Sequence, residues 1–131
     1  MAEELILIIE DNEKNRKLMR DVLQFHGYRT VESETAEEGL RLAATLAPAL
    51  ILMDIHLPGM NGIEALGALR ADPGTRGIPV MAVTASVMPQ DRQLVTNAGF
   101  DGYQSKPINV KEFVAATKKL LDRPHKAGEL P

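Results

Sequence analysis

The sequence predicts a doubly wound α/β fold: five parallel strands in the order 2-1-3-4-5, with five helices shared between the two faces of the sheet. Three observations lead there. Short apolar runs alternate with longer amphipathic stretches, the pattern of successive βα units. Central runs such as Leu50-Ile51-Leu52-Met53 are apolar without interruption, as strands covered on both faces are. Each run ends in polar residues, most of them followed by a helix-start signal. The strand order is the common one for a doubly wound sheet of five strands.

The elements follow in turn. Leu5 to Ile9 reads as a first buried strand that stops at Glu10-Asp11. Asn12 can cap the helix after it, with Leu18, Met19, Val22, Leu23 and Phe25 as its inner face and Gly27 as its stop. Tyr28 to Glu32 is a short strand placed at the sheet edge. Thr35 with Glu38 spells a capping box. The helix it opens turns Ala36, Leu40, Ala43 and Leu46 inward and is closed by Pro48. The third strand, from Leu50, runs into Asp54, and Pro58-Gly59 ends that segment. Asn61 with Glu64 starts a third helix, buried along Ile63, Leu66 and Leu69 and broken at Asp72-Pro73-Gly74. Pro79 to Val83 is the fourth strand, ending at Thr84. Pro89 suits the first turn of a fourth helix, with Leu94, Val95 and Ala98 inward and Gly99 as its cap. Gly102 to Ser105 is the fifth strand, ending at Lys106-Pro107. Asn109 with Glu112 opens the last helix, with Val110, Phe113, Val114, Thr117, Leu120 and Leu121 along one side. Residues 123–131 carry little apolar surface and are expected to form a flexible tail beyond a single domain over residues 1–122.

Composition narrows the function. At 131 residues the chain is one domain, and its net charge of −3 offers no electrostatic case for nucleic acid or an anionic membrane. No stretch approaches the ~18 apolar residues of a membrane span. The absence of cysteine excludes disulfides and thiolate metal sites. The acidic start, Met1-Ala2-Glu3-Glu4, is unlike a signal peptide, and a cytoplasmic protein is the expectation.

The polar residues at the strand ends carry the chemistry, because ligands of open α/β sheets bind beyond the carboxyl ends of the strands. Glu10 and Asp11, Asp54, Thr84 and Lys106 fall on one rim. Three carboxylates brought together repel one another, so without a cation at least one should titrate high. A hard divalent ion relieves this, and an all-oxygen, open site suits Mg²⁺. Mg²⁺, an ammonium and a hydroxyl are the parts needed to position and neutralise a phosphoryl group. A carboxylate can itself be the nucleophile.

Four stretches, Ile8-Ile9-Glu10-Asp11-Asn12, Leu52-Met53-Asp54-Ile55-His56-Leu57-Pro58-Gly59-Met60-Asn61-Gly62, Val83-Thr84-Ala85 and Ser105-Lys106-Pro107, closely resemble the receiver domain of two-component response regulators. The resemblance covers about residues 4–122 and is closest to single-domain regulators of the cell-division, polarity or chemotaxis type. It implies a flavodoxin-like fold, and it implies that Asp54 accepts a phosphoryl group from a partner's histidine. By the same resemblance Asp11 is a direct Mg²⁺ ligand, Glu10 reaches the metal through water, and the backbone carbonyl of His56 is a third ligand. Lys106 pairs with the acceptor, Thr84 moves onto the phosphoryl oxygen, and Tyr103 is the aromatic switch that follows it. Glutamate stands where the family commonly has the first of two aspartates. The output face expected from the resemblance is helix four, strand five and helix five, and the Lys106-Pro107 bond is expected to be cis.

The partners implied are a histidine kinase or histidine phosphotransfer protein and a downstream protein target, with the chain a monomer or a weak, phosphorylation-dependent dimer. The chain itself is expected to catalyse only its own phosphorylation and dephosphorylation. Other readings of the same residues are a receiver excised from a hybrid histidine kinase, a constitutive binding module, and a magnesium-dependent aspartyl phosphatase. The last usually needs a second acid two residues after the nucleophile, where this chain has His56. Among the remaining residues, His26 and His125 are read as solvent-facing, and Met53, Met60, Met81 and Met88 as core or loop filler. The side chains of His56 and Ser86 lie where the family tunes phosphoryl lifetime.

Overall fold

A computed structural model of the chain describes residues 4–85 and 89–122. Strands β1 (Leu5–Ile9), β2 (Arg29–Ser33), β3 (Leu50–Asp54), β4 (Val80–Thr84) and β5 (Gly102–Ser105) alternate with helices α1 (Glu13–Phe25), α2 (Ala36–Leu46), α3 (Gly62–Ala71), α4 (Pro89–Ala98) and α5 (Val110–Asp122). All four strand pairings are parallel, and the order is β2-β1-β3-β4-β5, as the sequence predicts.

Alternation along each strand divides the apolar residues between two cores. Leu7, Ile9, Ile51 and Met53 face the side covered by α2 and α3, where Ala36, Ala43, Ala65, Leu66 and Leu69 meet them. Ile6, Ile8, Leu50 and Leu52 face α1 and α5, against Met19, Leu23, Phe113 and Leu120. This is why β1 and β3 read as unbroken apolar runs: both faces are buried. One helix–strand contact is close enough to select glycine. A Cβ at Gly39 would lie 2.3 Å from Ile9 Cδ1, so α2 lies almost on β1.

Most helix signals act as read. Asn12 Oδ1 accepts the Asn15 N–H at 3.0 Å, and Asn109 Oδ1 accepts that of Glu112 at 3.0 Å. Asn61 and Glu64 form a full reciprocal capping box. At Thr35 only half of the predicted box forms. Its hydroxyl accepts the Glu38 N–H at 3.2 Å, while the Glu38 carboxylate pairs with Arg41 instead. Gly27 and Gly99 take positive φ as helix stops. The predicted closure of α2 at Pro48 comes earlier, with Ala47 in the left-handed region at φ 47°.

Several expected positions shift. β2 begins at Arg29 because the Tyr28 N–H donates to Leu23 O and closes α1. β4 begins at Val80, since Pro79 has no N–H for the ladder. Leu18 and Phe25, expected inside, are exposed, Phe25 to 86%. Around α1, Leu18 lies about 100° and Phe25 about 120° from Met19, off the Met19–Leu23 stripe that faces the sheet. Leu46 and Val110 are also exposed rather than inward, because each is a terminal residue of its helix. His26 is half-buried, its ring edge-on to Phe25 with centroids 5.3 Å apart. Met53 and Met81 are buried and Met60 packs at the core margin. Ser86, Met88, His125, the Leu94 side chain and the 123–131 segment lie outside the described residues.

Candidate functional site

The carboxyl ends of β1 and β3 lie side by side because their registers pair Ile9 with Met53. The residues that follow, Glu10 and Asp54, are therefore neighbours. Carboxylate oxygens of Glu10, Asp11 and Asp54 all lie within 4.8 Å of one another. Glu10 is fully buried, Asp54 is 5% exposed and Asp11 faces solvent.

Lys106, just past β5, reaches across this cluster. Its Nζ donates to Asp54 Oδ2 at 3.2 Å and lies 2.8 Å from Glu10 Oε1. The other oxygen of each acid is held by backbone: Asp54 Oδ1 accepts the His56 N–H at 3.0 Å, and Glu10 Oε2 accepts the Asn12 N–H at 3.1 Å. The Lys106 N–H donates to Thr84 O at 2.8 Å, which ties the lysine's loop to the end of β4. The Lys106-Pro107 peptide is cis.

Burial is the main cause that pushes the Glu10 carboxyl up, to about 6; Lys106 and the Asn12 N–H oppose it, and the charge of Asp54 adds to it. The sequence anticipates a raised carboxyl pKa here, but from mutual repulsion, and desolvation is the larger cause. For Lys106, burial works against the ammonium, yet Glu10 and Asp54 outweigh it and hold its pKa above the usual lysine value.

Among the described residues one ammonium faces three carboxylates, so the rim carries a surplus of negative charge. The donors are all oxygens, one of them solvent-facing. That set fits a hard divalent cation that keeps part of its water shell.

The sequence-predicted residues divide into two groups. Glu10, Asp11, Asp54 and Lys106 are in one cluster, with the backbone of His56 against it and its side chain exposed. Thr84 ends β4, buried to 1% exposure, opposite Ser105 of β5. Tyr103 sits farther down β5, beside Ala82, and packs half-buried against the cluster of Ile55, Ala82 and Val95. Sequence reasoning assigned no role to Gly62. A Cβ there would lie 2.6 Å from Asp54 O and 2.9 Å from Ile55 Cα, so the first turn of α3 packs directly on the backbone that carries Asp54. A glycine opening a helix directly after an asparagine cap is the available signal, because helix propensity gives no reason for it.

Comparison with known proteins agrees with this fold. The family model for the response regulator receiver domain matches residues 6–118. The chain is 43% identical over 116 residues to the polar-differentiation response regulator DivK of Brucella ovis, covering 88% of this chain and 94% of that protein, and DivK of Brucella abortus (strain 2308) matches equally. Among solved structures, the receiver domain of the sensor histidine kinase PA1611 from Pseudomonas aeruginosa PAO1, with a magnesium ion coordinated in its active-site cleft, superposes with a TM-score of 0.86 at 30% identity, over 93% of this chain and 100% of that one. A CheY-like receiver domain protein from Methanospirillum hungatei JF-1 gives 0.81 at 32% identity, over 92% and 95%. Among the described residues no helix is long and apolar enough to cross a membrane.

Proposed function

The chain belongs to the response regulator receiver domain family, and we propose that it is a phospho-accepting switch in a two-component or phosphorelay pathway, with Asp54 as the acceptor. The observation that carries this reading is the Lys106 ammonium spanning Glu10 and Asp54 on a rim that still holds a surplus of carboxylate.

Asp54 is held for attack. One oxygen is fixed by the His56 N–H and the other faces Lys106, while β3 and Gly62 keep its backbone still. The phosphoryl donor is a phosphohistidine of a kinase or phosphotransfer protein. An Asp54 oxygen forms the new O–P bond as the N–P bond breaks, and the histidine keeps the electron pair and takes up a proton. Lys106 then turns from the carboxylate to a phosphoryl oxygen and balances its charge. Thr84 donates its hydroxyl to a second phosphoryl oxygen, and Tyr103 repacks as Thr84 shifts. The changed face of α4, β5 and α5 signals to a downstream protein.

Glu10, Asp11, Asp54 and the His56 carbonyl are the residues that would hold Mg²⁺. When bound, Mg²⁺ neutralises charge on the transferring phosphoryl group. The chain catalyses only its own phosphorylation and dephosphorylation, and it works in the cytoplasm.

Incubation with Mg²⁺ and acetyl phosphate should add one phosphoryl mass to the protein, in an acid-stable and base-labile linkage, and Asp54→Asn should abolish it. An undiminished adduct in that variant would sink the assignment. Steady turnover of a phosphomonoester would instead favour the phosphatase reading. The likeness to the PA1611 receiver favours a second reading of context, a receiver that serves within a hybrid histidine kinase. Phosphotransfer profiling against kinases and phosphotransfer proteins separates the two.

A further inference from the structure

We infer that Arg16 is a positioning residue for the metal-binding loop, because its guanidinium completes the hydrogen bonding that β2 leaves unfinished at Glu10. The inference rests on the reading that Glu10 and Asp11 hold the divalent cation.

The β1–β2 ladder runs one step past the last paired residues. Ile9 pairs with Ser33, and the Glu10 N–H still donates to Ser33 O at 2.9 Å. The next bond of a parallel ladder would bring the Thr35 N–H to Glu10 O. That bond cannot form, because Thr35 is the N-cap of α2 and its N–H donates to Ser33 Oγ at 3.3 Å. The Glu10 carbonyl is left where the sheet stops. Arg16, one turn into α1, supplies the donor: its Nη1 lies 2.9 Å from Glu10 O.

Arg16 is itself held. Its Nε donates to Glu32 Oε1 at 3.2 Å, and its side chain is 14% exposed. Glu32 is gripped from the other side by Arg20 Nη1 at 3.1 Å. Exposed Glu34 lies 3.9 Å from Arg16 Nη2. The arginine is thus close to neutralised by its own partners, and what it gives the site is direction rather than charge.

Direction matters because Glu10 C=O and Asp11 N–H belong to one planar peptide unit. Fixing the carbonyl oxygen fixes the plane on which the Asp11 backbone is hung. Asp11 faces solvent, and among the described residues its carboxylate accepts no hydrogen bond. Its approach to Glu10 and Asp54 therefore depends on the backbone. Planar, two-directional donation of this kind is available to arginine and not to lysine.

The test is Mg²⁺ affinity by calorimetry on the full chain, with the urea midpoint measured in chelator as a separate readout of folding. Arg16→Gln should weaken Mg²⁺ binding about tenfold, the lower end for loss of a group that orients metal ligands. Arg16→Lys should recover only part of this, and Arg41→Gln, which removes the same charge from exposed α2, should stay within about twofold of wild type. With acetyl phosphate, the half-saturating Mg²⁺ concentration should rise in Arg16→Gln while the rate at saturating Mg²⁺ holds. Wild-type affinity in Arg16→Gln, or full recovery by Arg16→Lys, would overturn the inference. Should Arg16→Gln fail to fold, Arg16→Lys and Glu32→Gln carry the test, each expected to bind Mg²⁺ more weakly than wild type. A wild-type chain that takes no Mg²⁺ would overturn the metal reading along with it, whereas equal binding by wild type and variants overturns the role of Arg16 alone.

Discussion

The two ends of the sheet each hold a cation against a buried carboxylate, and they are built differently. At the amino end of β4, Arg70 Nη2 donates to Asp101 Oδ2 at 2.7 Å, and its Nη1 donates to the carbonyls of Arg76 and Ile78 at 2.9 and 2.8 Å. The same Asp101 oxygen accepts the Val80 N–H at 2.8 Å. The fork of the guanidinium is spent on fixed acceptors, one carboxylate and two carbonyls. At the carboxyl end, one flexible ammonium is shared by two buried carboxylates with a third close by. The first arrangement is closed and ties α3, β4 and the start of β5 together. The second has a surplus of negative charge and a cation that can move. A buried ion pair that is balanced and saturated reads as structure, and one that is unbalanced reads as a place for a further cation and a phosphoryl group.

The largest expected effect comes from opening the closed pair. Arg70→Ala should cost about 3–5 kcal/mol in urea unfolding, because it removes the guanidinium that bonds the buried Asp101 carboxylate. It should leave Mg²⁺ affinity unchanged, and a parallel loss of affinity would break the separation of the two ends. Next is the support beneath the rim. Gly62→Ala forces a Cβ against the Asp54 carbonyl, and should cost about 3 kcal/mol and slow acetyl phosphate labelling. Calorimetric unfolding reads the first effect, and a mass-spectrometric time course with acetyl phosphate reads the second.

Mg²⁺ sharpens the contrast from the other side. At 100 times its dissociation constant it should stabilise the wild type by about 2.7 kcal/mol, and Arg70→Ala by as much. Asp11→Asn should lose most of that gain, and a thermal melt with and without chelator reads it. Smaller again is Glu10→Gln without metal. The ionised carboxylate is disfavoured by burial at neutral pH, so its removal should raise stability by about 1 kcal/mol while weakening Mg²⁺ binding. Destabilisation there would mean that the rim, like the other end, is held by its charges.

The pH dependence is the finest test. The folded Glu10 pKa, about 6, lies above its ordinary value of 4.5, so the folded state holds the proton more tightly than the unfolded chain. This group's contribution to metal-free stability is therefore fullest below pH 4.5 and is lost as pH rises through 6. Glu10→Gln should flatten that part of the profile, which urea midpoints at successive pH values would show. With Mg²⁺ present the trend should reverse, since the metal competes with the proton.

The sequence alone determined a good deal. Uninterrupted apolar runs at Leu5–Ile9 and Leu50–Met53 announce strands covered on both faces, because that environment accepts no polar residue. Asparagine caps before α1, α3 and α5 announce helix starts, because the cap is a local bond between a side chain and an amide three residues on. Glu10, Asp54 and Thr84 are legible because each is the first polar residue after an apolar run, whereas Asp11 and Lys106 follow other polar residues. Where local spacing is ambiguous the reading slips. Leu18 and Phe25 fit an apolar periodicity, yet only the placement of α1 over the sheet decides that the stripe is centred on Met19 and Leu23 and leaves Phe25 in solvent.

The tertiary structure decided what touches what. The contact of Lys106 with Asp54 joins residues 52 apart in the chain, and it depends on two strand registers, β3–β4 and β4–β5, and the crossovers between them. That burial outweighs repulsion at Glu10 depends on what covers it, and the close approach of Gly62 to Asp54 depends on how α3 enters. The turn of Arg16 onto the Glu10 carbonyl depends on where β2 happens to end. Local bonds are written in neighbouring residues. Long-range geometry is a sum of many small choices of register and packing, and it becomes definite only when the whole chain is folded.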